Sequence, residues 1–225
     1  MQQHIVKFKL PRGVTFYPSD LRKAVAKEVN DPSMDDIFNY KDGQGVDAYP
    51  LSRFIGGKGW VGYVSEVSES MVTRVLTPSI KVLNHMGINA GVELSTQERS
   101  AFLSEEPTIY SLSGGVDKSK NKKLHSRTDE QYMQHMIWRM LENAVKLDIL
   151  DILPTEKELG LTIFDTRSVG IPAGHGNGEG NLFYNKTSGT FAMNLKLQGL
   201  WQAGQLLSRG YGLIYTQNKG GHFIC

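Results

Sequence analysis

The chain has 225 residues, with 25 lysines and arginines against 23 acidic residues and a formal net charge of +2. This length suits one large domain or two compact domains of about 100 residues each. Because 40% of the residues are hydrophobic and 21% are charged, the composition excludes collagen, coiled coils and wholesale disorder. The net charge is too small to indicate a polyanionic partner, so that question depends on where the cations lie.

The first half of the chain alternates strand and helix patterns. Residues His4 to Leu10 place Val6, Phe8 and Leu10 on one side with period two, which predicts a strand. An amphipathic helix follows from Pro18, with its basic side chains on the outer side. Further strands are predicted at 37–41, 51–55, 60–64 and 87–94, with a turn at Gly56-Gly57 and a short helix over 68–76 that ends before Pro78.

A second round of such elements begins in the second half. Strands are predicted at 108–112, 161–169, 183–197 and 210–216, with a long helix at 129–147. The β-α-β-β-α-β order is that of the ferredoxin-like unit. We therefore predict an α+β protein with tandem ferredoxin-like (RRM-like) domains, whose antiparallel sheets carry helices on one face. The domains are expected at 1–97 and 105–225, the second with a basic loop, a helical insertion and a glycine-rich loop.

Several common sites are excluded or disfavoured by spacing. The run GHGNGEG at 174–180 superficially matches a dinucleotide fingerprint, but a strand follows it, so no helix N-terminus is present to hold a pyrophosphate. The six histidines are scattered, and neither HExxH nor G-x-S-x-G occurs. We expect no metal and no cofactor. The single Cys225 and the absence of a signal-like or membrane-spanning run lead us to expect a soluble, cytoplasmic protein without a membrane partner.

A basic segment, KSKNKKLHSR at 118–127, is the first candidate for binding phosphate. Five cations in ten residues attract phosphates by counterion release, and His125 adds a hydrogen-bonding group. The alternative is a solvated loop, because charge runs carry no geometry. The cations are Lys118, Lys120, Lys122, Lys123 and Arg127.

A glycine-rich segment, QAGQLLSRGYG at 202–212, is the second candidate. Glycines beside a hydroxyl and a guanidinium suit a phosphate cradle, in which the backbone approaches its ligand closely. The alternative is a helix C-cap at Gly210 followed by a strand with a bulge. The candidate RNA-binding residues here are Gly204, Ser208, Arg209, Gly210, Tyr211 and Gly212.

The glycine-rich segment resembles the C-terminal loop of the CRISPR-associated endoribonucleases that process repeat RNA. The spacing Gly204, then QLLSR, then Gly210-Tyr211-Gly212 is similar, although Gln202 stands where the family has glycine. The segments 49–66 and 189–194 also resemble the family's mid-domain strand pair and its F-x-x-N strand. The resemblance implies two ferredoxin-like domains that bind a repeat hairpin and cut at its base without a metal, leaving a 2′,3′-cyclic phosphate. It also implies that the protein stays on the crRNA hairpin with other effector subunits.

Many members carry a catalytic histidine in or after the first helix, but residues 11–60 contain none. The resemblance is therefore to the type IV branch, which uses arginines, and cations can stabilise a pentacoordinate phosphate. It implies catalytic roles for Arg22 and Lys23, helped by Tyr17 and Arg53. The alternatives are a solvated helix face for this basic pair, a non-catalytic RNA-binding scaffold of the same effector complex, and a ferredoxin-like domain that binds a small metabolite.

Overall fold

The computed structural model describes residues 1–29, 31–41, 44–45, 48–118, 127–172, 183–217 and 223–224. The chain divides into two compact units. The first comprises Met1–Glu98 together with Leu206–Gly210, and the second comprises Arg99–Gln205 with Tyr211–Cys225. Both are α+β with antiparallel sheets, as the sequence predicts. Within the described ranges, none of the helices has the length and apolar character that crossing a membrane requires.

The first unit has a four-stranded sheet in the order β4-β5-β1-β6, antiparallel throughout. This is the ferredoxin-like order, with a 3-10 helix and the β2-β3 hairpin inserted between α1 and β4. The elements are β1 (Gln2–Lys9), α1 (Pro18–Val29), the 3-10 helix (Pro32–Phe38), β2 (Tyr40–Lys41), β3 (Gln44–Gly45), β4 (Ser52–Gly57), β5 (Trp60–Ser65), α2 (Glu69–His85) and β6 (Gly91–Glu98).

The core of the first unit fixes the position of this insertion. Val6 and Phe8 are fully buried on β1, as the period-two pattern predicts. The ring of Phe38 stacks on that of Phe54 with centroids 5.8 Å apart. The buried Tyr63 hydroxyl donates a hydrogen bond of 3.3 Å to the carbonyl oxygen of Ile37. The end of the 3-10 helix is therefore attached to the sheet, immediately before β2.

Three local predictions in this unit are wrong. Residues 37–38 end the 3-10 helix, and only Tyr40–Lys41 are extended. The predicted glycine turn lies inside β4, while the chain turns at 58–59, where Gly59 has φ +79°. Helix α2 continues to His85 with Pro78 inside it. Pro78 removes one backbone hydrogen bond from the helix. The burial of Val75 before it and of Val82 and Leu83 after it outweighs this loss, so the helix continues.

The second unit has the sheet order β10-β11-β7-β9-β8, again antiparallel, and β12 pairs with β11. Helix α3 packs on it through the predicted apolar face, which includes Met133, Met140 and Ala144. A second long helix before the last ferredoxin-like strand is replaced by β10 and a short 3-10 helix. The elements are β7 (Ser100–Asp117), α3 (Asp129–Lys146), α4 (Glu156–Leu159), β8 (Thr162–Pro172), β9 (Phe183–Gln198), β10 (Trp201–Gln202), β11 (Leu213–Gln217) and β12 (Phe223–Ile224). The short 3-10 helix (Leu207–Arg209), between β10 and β11 in the chain, belongs to the first unit.

Candidate functional site

Arg22 extends from α1 toward the insertion that precedes β4. Its Nη2 donates a hydrogen bond of 2.9 Å to the carbonyl oxygen of Phe38. Its Cζ lies 5.6 Å from the ring centroid of Phe38 and 5.1 Å from that of Tyr40. Arg22 is therefore half-buried and held, and it does not lie on the outer side of the helix as the sequence suggested. Successive helical residues are turned by about 100°, and the neighbouring Lys23 is exposed to solvent.

Tyr40, the first residue of β2, is half-buried beside Arg22. A hydrogen bond with Arg22 contributes most to lowering the pKa of the phenol, whereas burial raises it. The positive charges of Arg22 and Arg209 lower this pKa further, and Asp35 raises it. The net pKa of Tyr40 lies below the ordinary tyrosine value of 10.0. The phenol therefore ionises more readily than a tyrosine in water.

Arg209 lies in the segment Leu206–Gly210, which packs against α1 and β4 of the first unit. Arg209 is exposed to solvent at the end of the short 3-10 helix. Gly210 caps this helix, with φ +84° and its N–H donating a hydrogen bond of 2.9 Å to the carbonyl oxygen of Leu207. We call Arg22, Tyr40 and Arg209 the arginine–tyrosine cluster.

Gly210 has no room for a side chain. A Cβ at this position would clash with Pro18, the first residue of α1, and would lie 3.4 Å from the carbonyl oxygen of Phe54. The surface that this glycine approaches closely is therefore helix α1 of the protein itself. The C-cap alternative drawn from the sequence describes the local backbone. The segment packs on α1, and from it the positive charge of Arg209 acts on Tyr40.

If this segment serves the RNA cleavage that the sequence leads us to expect, Gly210→Ala should move it away from α1 and slow that reaction. The positive φ costs alanine about 1–2 kcal/mol, and the clash with Pro18 adds to it. Because a displacement of about 1 Å at a reacting group is enough to slow a reaction strongly, the single-turnover cleavage rate should fall about tenfold or more. Gly87→Ala is the matched control, since Gly87 has φ +71° but no atom within 4 Å of the added Cβ. Equal rates for the two variants would contradict the packing role.

Arg53 is fully buried and has partners inside the first unit. Its Nη2 lies 3.0 Å from Oε1 of Glu66, and both side chains are 0% exposed. Its Nη1 donates a hydrogen bond of 3.1 Å to the carbonyl oxygen of Pro50. A guanidinium without solvent access and paired to a carboxylate has no route to a phosphate. The structure therefore favours a structural role for Arg53 in place of the catalytic role expected from the sequence.

We expect Arg53→Ala to lower the free energy of unfolding by about 3–5 kcal/mol, because it leaves the Glu66 carboxylate buried without its cation. Denaturant unfolding followed by circular dichroism measures this change. The double variant Arg53→Leu/Glu66→Leu removes both charges and should recover most of the loss. A single variant that unfolds like the wild type would show that the ion pair is unimportant.

Tyr17 lies next to the start of α1 and is 62% exposed. Its carbonyl oxygen accepts hydrogen bonds of 3.0 Å from the N–H groups of Asp20 and Leu21, which fixes its backbone at the helix start. Its side chain is exposed to solvent, as is that of Lys23.

Three of the predicted RNA-binding residues of the glycine-rich segment, Gly204, Tyr211 and Gly212, lie in the second unit. Gly212 approaches Ala203, and a Cβ at Gly204 would lie 2.8 Å from the N atom of Val116, so both glycines are also packed against protein. The ring of Tyr211 lies 5.6 Å from Nζ of Lys186. The other predicted residues either lie in the first unit, as Ser208 does, or belong to the basic segment.

The basic segment is described only at its two ends. The N–H of Lys118 donates a hydrogen bond of 2.7 Å to Gln205, and Arg127 lies 3.3 Å from the Asp117 carboxylate. Burial, followed by the charge of Arg127, lowers the pKa of His135 on α3. No group of three or more His, Cys, Asp or Glu that could hold a metal occurs among the described residues. Outside those residues lie Lys120, Lys122, Lys123, His125, Cys225 and the glycine run at 174–180.

Comparison with known proteins gives a family match over nearly the whole chain. Residues 1–219 match the family described as type IV CRISPR-associated endonuclease Csf5. The fold is similar to that of Csf5, a CRISPR-Cas type IV Cas6 crRNA endonuclease, with a TM-score of 0.76 and 24% identity over 97% of this chain and 100% of that chain. A crystal structure of Cas6b gives a TM-score of 0.57 and 16% identity over 96% of this chain and 100% of that chain. Comparison with curated protein sequences gives no significant match.

Proposed function

Because the chain belongs to the family of type IV CRISPR-associated endonucleases, we propose that it cuts CRISPR repeat RNA at the base of a hairpin without a metal ion. The attacking group is the ribose 2′-OH next to the cut phosphate. The products are a 2′,3′-cyclic phosphate and a 5′-OH. The family supports an endonuclease that processes crRNA, and the arginine–tyrosine cluster supports this choice of mechanism.

The observation that carries the proposal is Arg22 held against the phenol of Tyr40 in the first unit, with the positive charge of Arg209 acting on the same phenol. When a 2′-OH attacks, the phosphorus becomes pentacoordinate and its oxygens gain negative charge, which preorganised cations stabilise. Arg22 is preorganised by its bond to the Phe38 carbonyl oxygen and by the two rings that it contacts. Arg209 is exposed on its short helix, where a phosphate has access. Guanidinium groups suit this task because they are planar and permanently charged.

Lys23 and Tyr17 take supporting roles in this proposal. Both are exposed at the first turns of α1, on the chain segment that carries Arg22. A cation there attracts the RNA backbone, and an exposed aromatic ring is suited to stacking on an unpaired base. Arg53 supports the fold of β4 and β5 through its buried ion pair with Glu66.

The second unit provides phosphate contacts of its own. Cations of the basic segment 118–127 neutralise the hairpin backbone, and the residues around Tyr211 and Lys186 add an aromatic and a cationic group. Because these contacts do not depend on the cut phosphate, the hairpin product remains bound after cleavage. The protein then stays on the mature crRNA as a subunit of the effector complex.

Incubation with a labelled synthetic RNA of the host's CRISPR repeat, in excess EDTA, tests the proposal. We expect a single cut at the hairpin base and an upstream product whose end is resistant to phosphatase until acid opens its cyclic phosphate. Hairpin binding without any cut, with or without added Mg²⁺, would instead support the non-catalytic scaffold.

A further inference from the structure

The arginine–tyrosine cluster contains one side chain that is able to release a proton. Guanidinium groups stay protonated in proteins, so Arg22 and Arg209 supply charge and not protons. The carboxylate of Asp35, whose negative charge also acts on the phenol, is an acceptor and opposes its ionisation. Tyr40 carries an O–H group and contacts the guanidinium of Arg22. Of the three residues of the cluster, Tyr40 is therefore the one that is able to donate a proton.

The surroundings of Tyr40 stabilise the phenolate that proton loss would create. The Cζ of Arg22 is 5.1 Å from the ring centroid, and Arg22 is fixed by its 2.9 Å bond to the Phe38 carbonyl oxygen. Arg209 adds a second positive charge from the short 3-10 helix. A phenol is protonated at neutral pH, so it can act as an acid there. The same two arginines then stabilise the anion that remains.

We propose that Tyr40 is a catalytic acid that donates its proton to the leaving 5′-oxygen of the cut phosphodiester. This inference rests on the proposed 2′-OH cleavage. In the reaction the 2′-O–P bond forms, the P–O5′ bond breaks, and the 2′-OH proton passes to solvent. The phenol proton moves to O5′, and solvent later returns a proton to the phenolate. No electron transfer and no further reactant is required.

The pH dependence of cleavage follows from the groups around the phenol. The charges of Arg22 on α1, Arg209 on the short 3-10 helix and Asp35 on the longer 3-10 helix act on Tyr40, and their net effect is a lowered pKa. A lowered pKa means that the acid form disappears at a lower pH than it would for a free tyrosine. As the pH increases, the cleavage rate of the wild-type protein should therefore begin to decrease at a pH below the ordinary pKa of tyrosine. The cleavage rate of Tyr40→Phe should not show this decrease at high pH.

Tyr40→Phe is the variant that tests the role, because it keeps the ring beside Arg22 and removes only the hydroxyl. With repeat RNA at saturation, the single-turnover rate should decrease about 10²-fold, a typical contribution of a general acid. The affinity for the repeat RNA and the melting temperature should stay at the wild-type values. Tyr184→Phe, which removes a half-buried phenol hydroxyl on β9, is the control and should cut normally. A Tyr40→Phe protein that cuts at the wild-type rate overturns the proposal.

A repeat RNA with sulfur in place of the bridging 5′-oxygen separates proton donation from positioning. A thiolate leaves without protonation, so Tyr40→Phe should cut this RNA at the wild-type rate. If the defect persists with sulfur, the hydroxyl does not act as the acid and the proposal is wrong. Failure of the wild-type protein to cut either RNA would instead refute the proposed cleavage itself, which keeps the two failures distinguishable.

Discussion

A single 2′-deoxyribose at the nucleotide 5′ of the cut phosphate should abolish cleavage and leave hairpin binding intact. The substitution removes the attacking oxygen, so no arrangement of cations around the phosphate is able to restore the reaction. Binding depends on charge and base contacts that a single missing hydroxyl barely changes. Single-turnover assays and a binding titration with the substituted RNA measure the two quantities separately.

The control for this experiment is the same substitution one nucleotide downstream. That RNA keeps the attacking hydroxyl and should be cut at close to the normal rate. Cleavage of the first RNA at an undiminished rate would mean that water or another group attacks the phosphorus, and transesterification would be refuted.

Removal of either cluster arginine should slow cleavage strongly without preventing RNA binding. We expect Arg22→Ala and Arg209→Ala each to reduce the single-turnover rate by about 10²–10³-fold, the range for loss of one preorganised group that stabilises charge in a transition state. Because the effect belongs to the transition state, saturating RNA should not rescue it. Since the two guanidinium groups act on the same phosphate, the decrease in rate for the double variant should be smaller than the product of the two single decreases.

Lys27→Ala is the matched control for these variants. Lys27 is an exposed cation on the last turn of α1, so its removal changes the charge of the same helix without touching the cluster. Arg22→Lys keeps the charge but loses the planar hydrogen-bonding group, and it should recover only part of the rate. If Arg22→Ala cut saturating RNA at the wild-type rate, the active site would lie elsewhere, and His135 would be the next residue to test.

The order of elements could be predicted because each follows from local periodicity. The alternation around Val6 and Phe8 and the apolar face of α3 specify their elements without reference to the rest of the chain. The predictions that are wrong depend on tertiary contacts. Gly56 and Gly57 indicate a turn in isolation, but a Cβ at Gly56 would lie 2.8 Å from Cγ of Pro18, so close packing within the unit explains the glycine.

The site could be predicted only in part, for a related reason. The sequence predicts Arg22 for catalysis and Arg209 for binding RNA, but no local pattern indicates that the charges of both act on one phenol. Tyr40 is not predicted, because its segment 37–41 has the pattern of an ordinary strand. Arg53 has the same formal charge as Arg22 in the sequence, and only the pairing with Glu66 distinguishes a buried structural arginine from one that a phosphate could reach.

The division of the chain also determines when the arginine–tyrosine cluster is completed during synthesis. Arg22 and Tyr40 belong to the first 98 residues, whereas Arg209 returns to the same unit only after residues 99–205 of the second unit have been made. A nascent chain on the ribosome therefore lacks the second arginine until position 209 has emerged. On the proposed mechanism, a chain that stops before residue 209 should cut repeat RNA at least as slowly as Arg209→Ala.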